Sequence, residues 1–172
     1  MIAMDLTNHL AAHFEDNIAA TRRSMGALAE PLSHAIDLCF GCVTNNAKIL
    51  ACGNGGSAAD AQHFIAELVG RFERDRLPLA GVALNTDTSI MTAVGNDYGF
   101  DQIFARQINA LGQPGDVLVV ISTSGNSANV MLAIQAAHER DMRVIALTGK
   151  GGGQIKDLLL DHDIHLCVPH DR

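Results

Sequence analysis

The chain has 172 residues, of which 48% are hydrophobic, 18% charged and only 4% aromatic, as in a single domain whose aliphatic core needs no disulfide or metal staple. Its formal net charge of −7 and pI near 5.5 argue against a nucleic-acid-binding surface, and an anionic substrate would need a locally positive site. No apolar run reaches the roughly 18 residues of a membrane span, and the N-terminus, with Asp5 and no basic segment, does not predict a signal peptide.

The N-terminal segment predicts a pair of helices before the first strand. Residues 5–24 carry apolar side chains at helical spacing, and Leu28–Val43 continues the pattern with Pro31 in its first turn. A minimal sheet does not need such a pair, and helices placed in this way often pack on a partner subunit. The segment therefore predicts a homo-oligomer.

The four cysteines do not form a disulfide framework, and their number and spacing favour a reduced, cytoplasmic setting. Cys39 and Cys42 have the spacing of a redox motif. They lie inside an apolar helical stretch with no strand-to-helix turn before it, so buried packing cysteines are the preferred interpretation and redox chemistry the alternative.

A short strand, a glycine turn and a helix follow one another from residue 49. The strand Ile49–Cys52 runs into the turn Gly53–Gly56, and Ser57 is predicted as the helix N-cap, with Asp60 as a variant of the capping box. This arrangement points free N–H groups and the positive end of a helix at an anion. The alternative is a tight connection with no ligand.

His63 and Glu67 are four residues apart on the predicted helix and share one face. The functional interpretation is a pair of metal ligands, or a base with its partner, above the anion site. The alternative is an ordinary surface contact between neighbouring turns.

The rest of the chain alternates between strands and helices. Predicted strands are Leu79–Leu84, Asp116–Ile121, Arg143–Leu147 and Ile164–Val168, and predicted helices are Ser89–Val94, Asp101–Leu111, Val130–His138 and Gln154–Leu160, with a polar turn at Gly95–Phe100. Five strands alternating with helices predict an α/β fold with a parallel sheet covered on both faces. Ligands in such folds bind at the carboxyl ends of the strands.

Two loops follow strands of this sheet. The hydroxyl loop, Ser122–Ser127 (STSGNS), comes directly after the third strand, and its hydroxyl and N–H groups can hold a phosphate without Lys or Arg. A capped helix with spare hydroxyls is the alternative. The second glycine loop, Thr148–Gly153, resembles a P-loop in composition only, because its GK precedes the glycine run, and it predicts a flexible loop.

Taken together, these motifs resemble the sugar isomerase (SIS) domain family. The resemblance extends over nearly the whole chain, and the matching stretches are Cys52–Phe72, Ala93–Gln107, Gly115–Val130 and Val144–Gly153. The STSGNS loop is typical of the family as a whole. The pairing of CGNGGS with HFxxEL is typical of its branch that isomerises sedoheptulose 7-phosphate in bacterial heptose and lipopolysaccharide precursor synthesis.

The resemblance implies one SIS domain over residues 1–172, with a flavodoxin-like sheet and sugar-phosphate site in residues 46–172 and oligomer-packing helices in residues 1–45. It implies a cytoplasmic homotetramer with active sites between subunits and one Zn²⁺ per subunit. The implied reaction converts a ketose phosphate into an aldose phosphate through an enediolate, giving D-glycero-D-manno-heptose 7-phosphate.

The resemblance also assigns roles to individual residues. His63 and Glu67 are implied metal ligands, and Glu67 is also the implied catalytic base and a substrate contact. The other implied substrate-binding residues are, for the sugar, Asn54, Gly55, Gly56 and Ser57, then Asn96 and Asp97, and for the phosphate Ser122, Thr123, Ser124 and Ser127.

The sequence departs from the family pattern at its end. In the family, a C-terminal helix carries a Gln and a His that complete the metal site and supply a catalytic acid, whereas this sequence stops at His170-Asp171-Arg172. The zinc site on these residues is therefore expected to be incomplete. His138, His165 and His170 are interpreted as surface or packing residues rather than as a substitute ligand.

Two other interpretations remain open. One is a non-enzymatic tetrameric adaptor that binds the bacterial replication initiator DnaA. The segment Ala61–Asp87 of this chain also resembles that adaptor. The other is a sugar-phosphate-sensing module, which usually comes with a DNA-binding domain. Glu67, Gly95-Asn96-Asp97 and the unbroken STSGNS loop favour the isomerase over the adaptor.

Overall fold

The structure, a computed structural model, describes residues 6–171. One sheet of five parallel strands has the order β2-β1-β3-β4-β5 and comprises β1 (Ile49–Gly53), β2 (Gly81–Ala83), β3 (Val117–Ser122), β4 (Arg143–Thr148) and β5 (Ile164–Cys167). The α-helices are α1 (Leu6–Thr44), α2 (Gly56–Val69), α3 (Thr88–Tyr98), α4 (Ile103–Leu111), α5 (Ala128–Glu139) and α6 (Ile155–Leu158), with 3-10 turns at Phe100–Gln102 and Lys150–Gly152. The predicted α/β class and the flavodoxin-like parallel sheet are confirmed.

The core lies in two layers, one on each face of the sheet. Alternate residues of the central strands point to opposite faces, so Ile49 and Val119 pack under α1 and α2, whereas Leu50 and Val120 pack under α4, α5 and α6. All five residues of β1 are buried, because helices cover both faces. Within residues 6–171 no helix is both long and apolar enough to cross a membrane.

The predicted N-terminal helical pair is wrong, since residues 6–44 form one helix of 39 residues. Pro31 lies inside α1 rather than in the first turn of a second helix. Proline has no N–H to donate to the carbonyl of Ala27, four residues earlier. Ala27 is exposed, so water can bind that carbonyl and the helix continues through the proline.

The outer surface of α1 is rich in exposed apolar side chains. Leu10, Phe14, Ile36 and Phe40 expose between 57% and 71% of their surface. A row of large apolar groups along one helix is typical of a surface that a partner covers. It supports the predicted homo-oligomer, which remains a prediction.

Other boundaries also differ from the predictions. The helix predicted to end at Val94 runs on to Tyr98, so Asn96 and Asp97 lie in the last turn of α3 rather than in a polar turn. The side chain of Asp87 caps this helix by accepting from the N–H of Ile90 at 2.9 Å, and Gly99, with φ of 89°, ends it. The positive φ of Gly99, which glycine adopts without strain, therefore sets the helix end.

The cysteines of α1 are free thiols. Burial, with a smaller contribution from Cys42, raises the pKa of the Cys39 thiol to about 11. Burial also raises the pKa of Cys42, as does the neighbouring Asp116 carboxylate. Thiols with raised pKa values stay protonated near neutral pH and are poor nucleophiles, which favours the packing interpretation.

A buried ion pair joins the amino ends of β1 and β3. The carboxylate of Asp116, 3% exposed, lies 2.5 Å from Lys48 Nζ and accepts from the N–H groups of Lys48 and Gln113, each at 2.9 Å. These contacts satisfy both carboxylate oxygens. The pair lies at the amino edge of the sheet, away from the carboxyl ends of the strands where ligands bind. We therefore infer that its role is to stabilise the fold.

We expect Asp116→Ala to lower the free energy of unfolding by about 3 kcal/mol, because Lys48 and two N–H groups lose their acceptor. Urea denaturation measures the loss. Asp161→Ala, at an exposed position, is the control and should change stability by no more than about 0.5 kcal/mol. Equal losses in the two variants would contradict a stabilising role for the pair.

Candidate active site at the carboxyl edge of the sheet

The first half of the site is the glycine turn after β1. A Cβ on Gly53 would lie 2.7 Å from the carbonyl oxygen of Ser57 and 2.8 Å from that of Ile121, so only glycine fits there. Gly55 has φ of 56° and is the N-cap of α2, which begins at Gly56. The predicted N-cap, Ser57, therefore lies inside the helix, and no side chain makes a capping hydrogen bond. The predicted capping box with Asp60 is also wrong.

The positive φ of Gly55 is the reason for this difference, because it lets the chain turn into the helix two residues earlier than a serine cap would. The Gly55 carbonyl accepts from the N–H of Ala58 at 3.1 Å and closes the first turn. With no side-chain cap, the N–H groups at the start of α2 are available to a ligand. Asn54, next to Gly55, is half-buried.

The second half of the site is the hydroxyl loop. Ser122, buried at the end of β3, places its Oγ 3.3 Å from the Oγ of Ser127. Ser127 is the N-cap residue of α5, yet its side chain makes no capping hydrogen bond. Thr123 and Ser124 are exposed. The loop thus presents hydroxyl groups beside a second helix N-terminus that lacks a side-chain cap.

A pair of side-chain amides joins the two halves. Asn54 donates to the Oδ1 of Asn129 at 2.8 Å, and Asn129 donates back to the Oδ1 of Asn54 at 2.9 Å. Asn129 is 2% exposed and lies in the first turn of α5. Sequence reasoning missed it, and the available signal was an amide two residues after STSGNS. The pair fixes the glycine turn of β1 against the hydroxyl loop of β3.

The second glycine loop packs directly on the hydroxyl loop, and the flexible loop predicted here contains a 3-10 turn. The N–H of Gly149 donates to the carbonyl of Thr123 at 3.1 Å, and the N–H of Ile155 donates to the carbonyl of Gly125 at 2.9 Å. A Cβ on Gly125 would lie 1.9 Å from the carbonyl oxygen of Gly152. The two loops therefore support each other through their backbones.

His63 and Glu67 form a pair on α2, as predicted from their spacing. The Nε2 of His63 lies 3.2 Å from the Oε1 of Glu67, and the side chains are 77% and 37% exposed. Both line a groove of about 750 Å³ between α1 and α2, whose lining includes Ile121. Ile121 precedes Ser122 in β3. A carboxylate with an accessible edge can move a proton on a bound sugar.

The same pair is predicted to bind zinc. The number of donor side chains present can be compared with the number that zinc sites require. Catalytic zinc sites usually take three protein ligands and structural sites four. His63 and Glu67 supply two, and across residues 6–171 no group of three or more His, Cys, Asp or Glu side chains is placed to hold a metal ion. The described residues do not make a complete zinc site, so no catalytic step is assigned to a metal.

Asn96 and Asp97 are predicted substrate contacts that, within the described part of the chain, have no hydrogen bond to either of the two loops. Both are exposed, and Asn96 Nδ2 donates to Asp97 Oδ1 at 2.8 Å. Among residues 6–171 their side chains make no hydrogen bond to the glycine turn or to the hydroxyl loop. Their role in substrate binding remains a prediction.

Comparison with known proteins agrees with this geometry. The SIS domain family model matches residues 13–149. A phosphoheptose isomerase of Bordetella avium (strain 197N) is 70% identical over 169 residues, covering 98% of this chain and 86% of the relative. One from Dechloromonas aromatica (strain RCB) is 59% identical over the same length and coverage.

Solved structures show the same similarity. The phosphoheptose isomerase of Neisseria gonorrhoeae aligns with a TM-score of 0.92 and 58% identity, covering 97% of this chain and 88% of that one. The Francisella tularensis phosphoheptose isomerase aligns with a TM-score of 0.95 and 43% identity, covering 98% and 88%. With the joined loops and the Glu67 carboxylate, these matches show that the chain belongs to the SIS domain family and, within it, to the phosphoheptose isomerases.

Proposed function

We propose that this chain isomerises sedoheptulose 7-phosphate to D-glycero-D-manno-heptose 7-phosphate, a step in bacterial heptose and lipopolysaccharide precursor synthesis. The observation that carries the proposal is the Asn54–Asn129 pair, which joins the glycine turn and the hydroxyl loop into one site. Relatives as similar as 70% identical bear the name phosphoheptose isomerase. The matches described above offer no support for the initiator-binding adaptor.

The phosphate would bind at the hydroxyl loop. Ser122, Thr123, Ser124 and Ser127 supply hydroxyl groups, and α5 supplies N–H groups without a side-chain cap. Because the chain carries a net charge of −7, binding of a phosphate dianion needs this local field of N–H and O–H dipoles. The sugar would extend from there along Asn54, Gly55, Gly56 and Ser57, with Asn96 and Asp97 as further proposed contacts.

Glu67 would move the proton. Isomerisation takes a proton from C1 of the ketose, next to the C2 carbonyl, and the C2 oxygen gains a proton to give an enediol. Return of a proton to C2 and loss of the proton on the C1 oxygen leave the aldehyde at C1. A carboxylate can remove and return the carbon-bound proton, and N–H and hydroxyl groups of the glycine turn and the hydroxyl loop would stabilise the enediolate charge.

The zinc site is also part of the proposal. His63 and Glu67 would supply two of the ligands of a bound zinc. We expect His63→Ala to carry less zinc than wild type after purification, because removal of one of the two proposed donors weakens the site. Elemental analysis of wild type and His63→Ala measures this without any assay of activity. Equal zinc in both proteins would contradict a ligand role for His63.

We propose further that the protein is a cytoplasmic homotetramer with active sites between subunits. The exposed apolar side chains of α1 support association of subunits. Free cysteines in the core support a reducing compartment. Light scattering of the purified protein tests the number of subunits.

The test of function is a coupled assay of the protein with sedoheptulose 7-phosphate, with and without added zinc. Formation of the aldose phosphate above the background rate is the expected result. Wild-type protein that is folded, binds phosphate and makes no product in either condition would contradict the proposal. Capture of DnaA by such an inactive protein would then support the adaptor interpretation.

A further inference from the structure

The second glycine loop has a neighbour on its other side, the ring of His165 on β5. The Nε2 of His165 lies 2.8 Å from the Oγ1 of Thr148, the buried last residue of β4. A Cβ on Gly152 would lie 2.5 Å from His165 Cε1, so the ring and the glycine backbone are in direct contact. The contact agrees with the sequence interpretation of His165 as a packing residue.

Gly152 is therefore held between two parts of the protein. On one side is the His165 ring, and on the other is Gly125 of the hydroxyl loop, whose added Cβ would lie 1.9 Å from the Gly152 carbonyl oxygen. Gly152 has φ of 92°, a conformation that only glycine adopts easily. A shift of this glycine would move the hydroxyl loop with it.

The protonation state of the His165 ring is compatible with its hydrogen bond to Thr148. Burial, and secondly the nearby charge of Lys156, lower the pKa of His165 below its usual value, so the ring is neutral near pH 7. A neutral imidazole can accept from the Thr148 hydroxyl or donate to it. The ring orientation is thereby tied to the end of β4, where the second glycine loop begins.

We propose that His165 is a positioning residue for the phosphate site. Its ring, hydrogen-bonded to Thr148, holds Gly152 in place, and Gly152 in turn holds the hydroxyl loop in the conformation that binds phosphate. The proposal rests on the proposed function, since it takes the hydroxyl loop to be the phosphate site. The phosphate does not react, so its contacts are similar in ground state and transition state, and their loss acts on KM more than on kcat.

The test compares wild type with His165→Ala, using inorganic phosphate as the binding probe and sedoheptulose 7-phosphate as the substrate. We expect the phosphate Kd and the substrate KM to rise about fivefold, the size typical of one lost hydrogen bond, while kcat stays within about twofold. His165→Gln, whose amide can still bond to Thr148, should recover part of the affinity. His162→Ala is the matched control, because that side chain is 54% exposed and three residues away.

Unchanged phosphate affinity in His165→Ala, or an equal loss in His162→Ala, would overturn the proposal. If His165→Ala does not fold, Thr148→Val removes the same hydrogen bond and keeps the ring, and an unchanged phosphate Kd in that variant would also overturn it. Wild-type protein that binds phosphate without isomerising the sugar would contradict the proposed reaction alone. In that case the phosphate Kd values still decide the role of His165.

Discussion

Glu67→Gln is expected to reduce kcat by about 10³-fold, because the amide cannot accept the carbon-bound proton. The substitution keeps the shape of the side chain, which lines the groove beside β3 and contacts His63 at 3.2 Å. The hydroxyls proposed to bind phosphate are on another element, so the Kd of inorganic phosphate should stay within about twofold of wild type. Steady-state kinetics and calorimetry give the two quantities.

Exchange of the C1 proton of sedoheptulose 7-phosphate with deuterated solvent, followed by NMR, tests the proton transfer itself and should disappear in the variant. Glu139→Gln, at the exposed end of α5, is the control and should keep wild-type rates. Zinc content is measured in all three proteins, so that loss of a metal ligand is separated from loss of a base. Full turnover in Glu67→Gln would refute its role as base.

Gly125→Ala is expected to have the largest effect on the phosphate site. Its φ of 65° costs an alanine about 1–2 kcal/mol, and the new Cβ would lie 1.9 Å from the Gly152 carbonyl oxygen, so one backbone must move. We expect the free energy of unfolding to fall by about 3 kcal/mol and the phosphate Kd to rise by at least about tenfold. Urea denaturation and calorimetry measure the two effects.

Gly115→Ala separates backbone strain from the clash. Gly115 also has a positive φ, of 91°, but a Cβ there would meet nothing within 4 Å. It precedes β3, at the opposite edge of the sheet from the hydroxyl loop. This control should lose about 1 kcal/mol of stability and no phosphate affinity. Phosphate binding by Gly125→Ala as tight as that of wild type would show that the contact with Gly152 does not shape the site.

Local patterns in the sequence were enough to predict the sheet and the position of the site. Each strand is a short apolar run bounded by turn residues, and each helix has apolar side chains at three- and four-residue steps, so neighbours in the chain determine both. Parallel strands place their carboxyl ends at one edge, and this rule predicts that the Gly53–Gly56 turn and the hydroxyl loop lie near each other. The i,i+4 pair of His63 and Glu67 is local in the same sense.

Local patterns gave wrong helix boundaries where the outcome depended on helix-propensity differences of a few tenths of a kcal/mol per residue, or on one backbone angle. Pro31 predicted a helix start, yet α1 runs through it, because Ala27, whose carbonyl loses its donor, is exposed and can bind water. Ser57 has the side chain of an N-cap, yet the positive φ of Gly55 starts α2 earlier. Propensity ranks these alternatives but does not exclude either.

The sequence by itself determined the fold class, the family and the residue types available at the carboxyl edge of the sheet. Only the tertiary structure decided which of them act together: Asn54 meets Asn129 across 75 positions, and Gly125 meets Gly152 because β3 and β4 are neighbours in the sheet. Asn129 and His165 carry no local pattern that marks them. Their roles arise from contacts that exist only after strands distant in the chain have paired, because packing in three dimensions, rather than spacing along the chain, sets which groups touch.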